Sequence, residues 1–183
     1  MRTELIQETV KTNRDVEAFL VPTAVPIVIP KDTEVTITQA LGGSYTLYVN
    51  GNLVRVDGKD GDALGKEIID PFEGIDLENA SVEDLVQAQL RSCYDPEIPV
   101  NIVDLGLVYE CHVTPLGKNE YAINIKMTLT APGCGMGPIL AEEVKQRIKI
   151  IPQVKQVEVE LVFDPPWYQS MMSDVAKLQL GIL

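Results

Sequence analysis

The sequence predicts an α/β protein: a small mixed sheet with helices packed on it over residues 76–183, preceded by a small β-rich domain over residues 1–75. Three observations predict it. The first 75 residues alternate apolar and polar positions with period two and carry an Asn50-Gly51 turn. Beyond residue 80 the apolar period switches between 3.6 and 2, in the order helix, strand, strand, helix, strand. Between the two parts, Asp70-Pro71-Phe72-Glu73-Gly74 has the composition of a linker.

The elements follow in order. Ala24 to Pro30 is an apolar strand-like run punctuated by prolines, and Val35 with Ile37 alternates with polar neighbours. Asn50-Gly51 separates Tyr45–Val49 from Leu53–Val56, which predicts a hairpin within a barrel-like or meander sheet. Gly42-Gly43 lacks the lysine of a phosphate loop and reads as a plain turn. Ser81 opens a helix as its N-cap, with Val82, Leu85, Val86 and Leu90 on one face, ending near Cys93. Leu107–Val113 is a strand, and Gly117-Lys118-Asn119 turns the chain. Tyr121, Ile123, Ile125, Met127 and Leu129 form the next strand's apolar face, opposite Ala122, Asn124, Lys126, Thr128 and Thr130. A helix begins near Pro138 with Leu140, Val144, Ile148 and Ile151 as its stripe. Val157, Val159, Leu161 and Phe163 make a third strand, broken by Asp164-Pro165-Pro166-Trp167. A short last helix is expected to carry Met171, Val175 and Leu178 on one side. An antiparallel pair followed by a helical crossover makes a mixed sheet.

Composition narrows the function classes. A chain of 183 residues with 45% hydrophobic content can bury a real core. Its net charge of −12 is spread over both parts and argues against nucleic acid or an anionic membrane as main partner. No apolar run is long enough to span a bilayer, and the opening MRTELIQETVKTNRD has no signal-peptide h-region. Cys93, Cys111 and Cys134 are an odd set with no close pair, which points to a reducing, cytoplasmic compartment. A single histidine, His112, removes most histidine-based catalysis.

The chemistry is expected at Cys134, in Thr130-Ala131-Pro132-Gly133-Cys134-Gly135-Met136-Gly137-Pro138. Glycines open the backbone there and allow positive φ. The following helix start supplies unpaired N–H groups and partial positive charge, which favour a thiolate. A buried structural cysteine in a glycine-rich turn is the bland alternative. A second cluster, Asp95-Pro96-Glu97, is stiffened by its proline and could orient or deprotonate a group near Cys134. Glu97 could instead ligate iron or cap a turn. Asp104-Leu105-Gly106 reads as a turn. Cys93 and Cys111 read as core or subsurface residues, and Cys111 and His112 face opposite ways on their strand. Trp167 either caps the core or faces a partner, and Met171-Met172 reads as packing.

Three ordered motifs carry a resemblance. DPEIPVNIVDLGLVYE at 95–110, MTLTAPGCGMG at 127–137 and VELVFDPPW at 159–167 together resemble the SufT and PaaD-like family. The β-rich N-terminal part and the DPPW ending are similar to the SufT branch in particular. The resemblance implies a small α/β protein in the maturation of iron–sulfur proteins. It places the family's acidic pair on Asp95 and Glu97, its DLG turn on Asp104, Leu105 and Gly106, its threonine on Thr130 and its cysteine on Cys134. Many relatives carry a second threonine where this chain has Ala131, which points to Thr130 for any hydroxyl role. Asp95, Glu97, Thr130 and Cys134 are therefore the implied cluster-contacting residues. Iron–sulfur clusters take about four ligands, mostly thiolates, so one cysteine cannot hold one alone. The implied cluster is transient, or shared between chains, with Cys134 as one ligand. The implied partners are iron–sulfur assembly proteins, client apoproteins and a second copy of the chain. Two other readings stand beside it: an enzyme with Cys134 as nucleophile, weakened by the want of a second histidine, and an interaction module in which the cysteine is incidental.

Overall fold

The computed structural model describes residues 7–183 apart from Pro22, Ala24, Gly42, Pro96 and Cys134. The chain divides into two compact units, with the division between Glu73 and Gly74.

In the first unit β1 (Glu8–Lys11), β2 (Val16–Val21), β3 (Pro26–Ile29), β4 (Glu34–Leu41), β5 (Ser44–Val49) and β6 (Asn52–Asp57) form one sheet, in the order β1-β4-β5-β6-β2-β3. All its pairings are antiparallel. Asn50 (φ 47°) and Gly51 (φ 81°) supply the two positive φ angles that a tight hairpin between β5 and β6 requires. Gly43, on the described side of the expected Gly42-Gly43 turn, sits at φ 72°. Buried Thr12 ties the β1 end of the sheet to the segment after β3. Its hydroxyl donates to the Pro30 carbonyl at 2.7 Å and its N–H to Thr33 at 3.0 Å. Alternation then gathers one face of the strands into a single core containing Val16, Ile37, Leu47, Val54 and Val56. A 3-10 helix, Gly58–Leu64, adds Ala63 and Leu64 to that core. Its buried residues have neither a helical nor a strand period, so sequence periodicity does not reveal it.

The second unit holds α1 (Val82–Arg91), β7 (Val108–Gly117), β8 (Glu120–Met127), α2 (Gly137–Lys149), β9 (Val154–Leu161), a 3-10 turn at Gln169–Met171 and α3 (Asp174–Gln179). Ser81 caps α1 in a capping box with Asp84, and Val82, Leu85, Val86 and Leu90 are buried as their spacing predicts. The sheet order is β7-β8-β9, with β7–β8 antiparallel and β8–β9 parallel, so the sheet is mixed. Helix α2 packs on β9 and α1 packs on α2. Leu140, Val144, Ile148 and Ile151 are all buried.

Three expectations fail for tertiary reasons. Val175 and Leu178 of α3 are 67% and 69% exposed, while Ala176 and Met172 are buried, so the inward side of the last helix is the opposite one. Phe163 lies beyond β9 and is half exposed, because the chain leaves the sheet at Leu161. Ala122 and Thr128 are buried although they lie on the expected polar face of β8. Among the described residues no helix is long and apolar enough to cross a membrane.

Candidate functional site

The carboxyl ends of the parallel neighbours β8 and β9 lie side by side, with Met127 opposite Leu161. Ligand crevices in α/β sheets form at such ends. Segment 128–136 leaves β8 there and runs into α2. Its first residue, Thr128, is anchored through its N–H to the Leu107 carbonyl at 2.8 Å. Gly133 adopts φ 79°, a conformation that favours glycine. Gly137 serves a different need: a Cβ there would press on the Leu129 side chain at 2.6 Å, so its lack of a side chain lets α2 close onto β8's end. Helix α2 starts with a proline in its first turn, no side-chain cap and no acidic residue in that turn. Its partial positive end is left unneutralised by those groups. Cys134, the expected centre of the chemistry, lies outside the described residues.

The Asp95 loop meets this segment. Asp95 is buried, and its Oδ1 accepts the N–H groups of Glu97 at 2.9 Å and Ile98 at 2.8 Å. One carboxylate oxygen thereby binds the N–H groups two and three residues on, as an Asx turn does. The Tyr94–Asn101 bridge and the Asp95 N–H to Val100 carbonyl bond close the base of the loop. The other oxygen, Oδ2, receives the Thr130 hydroxyl in a long bond at 3.4 Å. Thus the structure brings Asp95 and Thr130 together, although they stand 35 residues apart in sequence. Glu97 joins them only through its backbone; its side chain faces solvent.

The DLG turn has a structural task. Asn101 donates from Nδ2 to Asp104 Oδ2 at 2.6 Å and accepts the Asp104 N–H at 2.9 Å. Arg91 of α1 reaches Asp104 Oδ1 at 3.1 Å, and Ser173, the cap of α3, donates to the same carboxylate at 3.3 Å. Burial alone would raise the Asp104 pKa, but the hydrogen bonds from Asn101, Arg91 and Ser173, with the Arg91 charge, hold it below the usual carboxylate range. Gly106 has φ 74°, and a Cβ there would collide with the Met171 carbonyl. The Trp167 indole N–H donates to the Leu105 carbonyl at 2.7 Å, so the DPPW corner is pinned onto the DLG turn. Sequence reasoning missed Asn101 and Ser173. The Asn101-x-x-Asp104 spacing could have revealed the first; only folding brings the second.

The other thiols are poorly suited to chemistry. Cys93 is fully buried. Burial pushes the Cys111 thiol pKa up, which disfavours its thiolate. His112 is exposed and lies 3.3 Å from Glu110 on the open face of the sheet. Among the described residues, no group of three His, Cys, Asp or Glu side chains could hold a metal ion.

The model of a family described as iron–sulfur cluster assembly protein matches residues 83–161. The chain is 44% identical over 101 residues to an Fe-S protein maturation auxiliary factor of Porphyromonas gingivalis, covering 55% of this chain and 91% of that protein. The chain belongs to the iron–sulfur cluster assembly protein family. Further relatives agree. The Fe-S protein maturation auxiliary factor YitW of Bacillus subtilis is 42% identical over 106 residues, covering 58% of this chain and 99% of that protein. The auxiliary factor SufT of Staphylococcus aureus is 43% identical over 88 residues, with coverages of 48% and 96%. The family match falls wholly within the second unit and includes Asp95, Asp104 and Thr130.

Proposed function

We propose that this chain is an iron–sulfur protein maturation factor that acts through Cys134, with the cluster as cargo rather than resident cofactor. The observation that carries the reading is the Asp95–Thr130 contact, which links the loop before Ile98 to the segment four residues ahead of Cys134. Asp95 spends its carboxylate on two backbone N–H groups and one hydroxyl. A carboxylate so engaged positions the cysteine-bearing segment rather than serving as a free base. The uncapped start of α2, three residues after Cys134, favours a thiolate at that position. A soft thiolate suits iron and clusters.

A single thiolate leaves most of the cluster's coordination to others. The donor assembly protein and the client apoprotein are therefore the chemical partners that complete it, and the chain itself turns over no substrate. The names of the relatives, auxiliary factors of Fe-S protein maturation, support the reading. The exposure of Glu97 supports a contact of its carboxylate with a partner's cationic group or with the iron of a passing cluster.

Anaerobic cluster loading and transfer test this. Cys134→Ser should lose cluster-dependent iron and sulfide retention and fail to support a cluster-dependent enzyme in cells lacking the native protein, with an unchanged circular dichroism spectrum. Asp95→Asn should lose less, about tenfold in transfer rate, as expected of a residue that acts by positioning another. Full activity of the serine variant would refute the role of Cys134 and leave an adaptor acting through its surfaces.

A further inference from the structure

We infer that β7 pairs antiparallel with β7 of a second copy, in a register centred on Cys111, joining the two three-stranded sheets into one of six strands. Strand β7 is an end of its sheet, and no described residue pairs with its outer side. An unpaired strand edge is a template for another strand. Two irregularities, between Val108 and Glu110 and between Pro115 and Gly117, bracket a regular stretch of Glu110, Cys111, His112, Val113 and Thr114.

Proline fixes the phase of that stretch. Pro115 lies within β7 opposite Tyr121, and a proline in a sheet keeps its nitrogen toward the open edge. Cys111 and Val113 share its parity, so their N–H and C=O groups point outward. Their side chains are half-buried on the face that Ile123 and Ile125 share, a face left incompletely covered at the edge. Glu110 and His112 stand on the opposite, open face beside Lys126 and Asn124.

Two-fold symmetry then leaves few registers. In an antiparallel pair related by an axis normal to the sheet, one residue must face itself. Centring on Val113 sets Cys111 against Pro115 of the second copy, which has no N–H to give. Centring on Glu110 sets two carboxylates face to face, and centring on His112 sets two imidazoles face to face. Centring on Cys111 lets the two Cys111 residues exchange both backbone bonds within the regular stretch and places Glu110 opposite His112 twice. This is the register that satisfies the donors and matches charge at once. The other edge, β9, offers no such match: centring on Val159 opposes Glu158 to Glu160, and centring on Val157 opposes Gln156 to Glu158.

Sedimentation velocity on the full chain from micromolar to several hundred micromolar tests the inference. We expect a monomer–dimer equilibrium, with slowed amide exchange at Cys111 and Val113 as concentration rises and none in β9. His112→Glu should weaken the dimer about tenfold, because like charges then face each other at both pairs. Adding Glu110→Lys to it should restore affinity, since Lys and Glu then alternate across the axis. Both sites are solvent-exposed, and circular dichroism checks the fold. Val113→Pro, which removes an outward N–H, should leave only monomer. A wild type that stays monomeric throughout, a double variant no tighter than the single one, or concentration-dependent protection in β9 instead of β7 would overturn the pairing.

Discussion

The two units solve the same problem, burying one sheet face, with different polar chemistry. In the first unit the sheet gathers one interior of alternating apolar residues, and its charged network stays at the surface. There Arg14 bridges Asp60 and Asp62 at 2.9 and 2.7 Å, with side chains 21% to 44% exposed. In the second unit carboxylates go inside. Asp95 is 7% exposed, the Asp104 side chain is 19% exposed, and each organises a loop at one end of the sheet. Thr128 of the same unit is fully buried, with a hydroxyl that has no hydrogen-bond partner among the described residues. Buried polar groups cost stability unless satisfied. The difference teaches that the unit matched by the family model buries carboxylates to hold loop geometry, whereas the other unit keeps its carboxylates at the surface and ties its buried segment with the Thr12 hydroxyl.

The sharpest way to break this comparison is to damage one interior and watch the other. Leu47→Ala, in the middle of the first unit's core, should cost about 2–5 kcal/mol there. The transition reported by fluorescence of Trp167, the chain's one tryptophan, should stay in place. A joint shift of both transitions would mean that the units share one cooperative core.

A smaller effect is expected at Asp95. Asp95→Ala strands the N–H groups of Glu97 and Ile98 and the Thr130 hydroxyl, at a cost of about 1–3 kcal/mol. Amide exchange should rise at residues 95–100 and 128–133 while the first unit keeps its protection. Unchanged exchange in 128–133 would break the link between the two loops.

The smallest effect separates surface from interior charge. Asp62 titrates below its ordinary range because Arg14 hydrogen-bonds it, and Asp104 does so because its hydrogen bonds outweigh burial. A depressed folded pKa adds stability above the unfolded value of about 4, and that stability is lost as pH falls through the folded value. Both units should therefore weaken in denaturant titrations between about pH 5 and pH 2. Adding salt to about 1 M at pH 7 should erode the Asp62 contribution more than the Asp104 one, since exposed pairs are screened. Equal salt sensitivity in Asp62→Asn and Asp104→Asn would erase the distinction.

Local physics was legible in the residues. Asn50-Gly51 can only be a tight turn between two β-rich runs, because its φ angles suit that pair. Ser81 with Asp84 marks a helix start by reciprocal capping, and the 121–129 alternation marks a half-buried strand. The motifs at 95–110 and 127–137 carried the resemblance to the family to which the chain belongs. What only the tertiary structure decided is where distant groups meet. Asp95 finds Thr130, Ser173 finds Asp104, and Trp167 finds the Leu105 carbonyl, pairs with no common period or spacing. The inward side of α3 was likewise set by packing: a helix of six residues has too few turns for an apolar stripe to dictate its rotation, so the fit of Ala176 prevailed over Val175 and Leu178. Hydrophobic periodicity acts over neighbouring residues and so is written in the sequence, whereas a hydrogen bond across 35 or more residues depends on loop closure, which only the completed fold supplies.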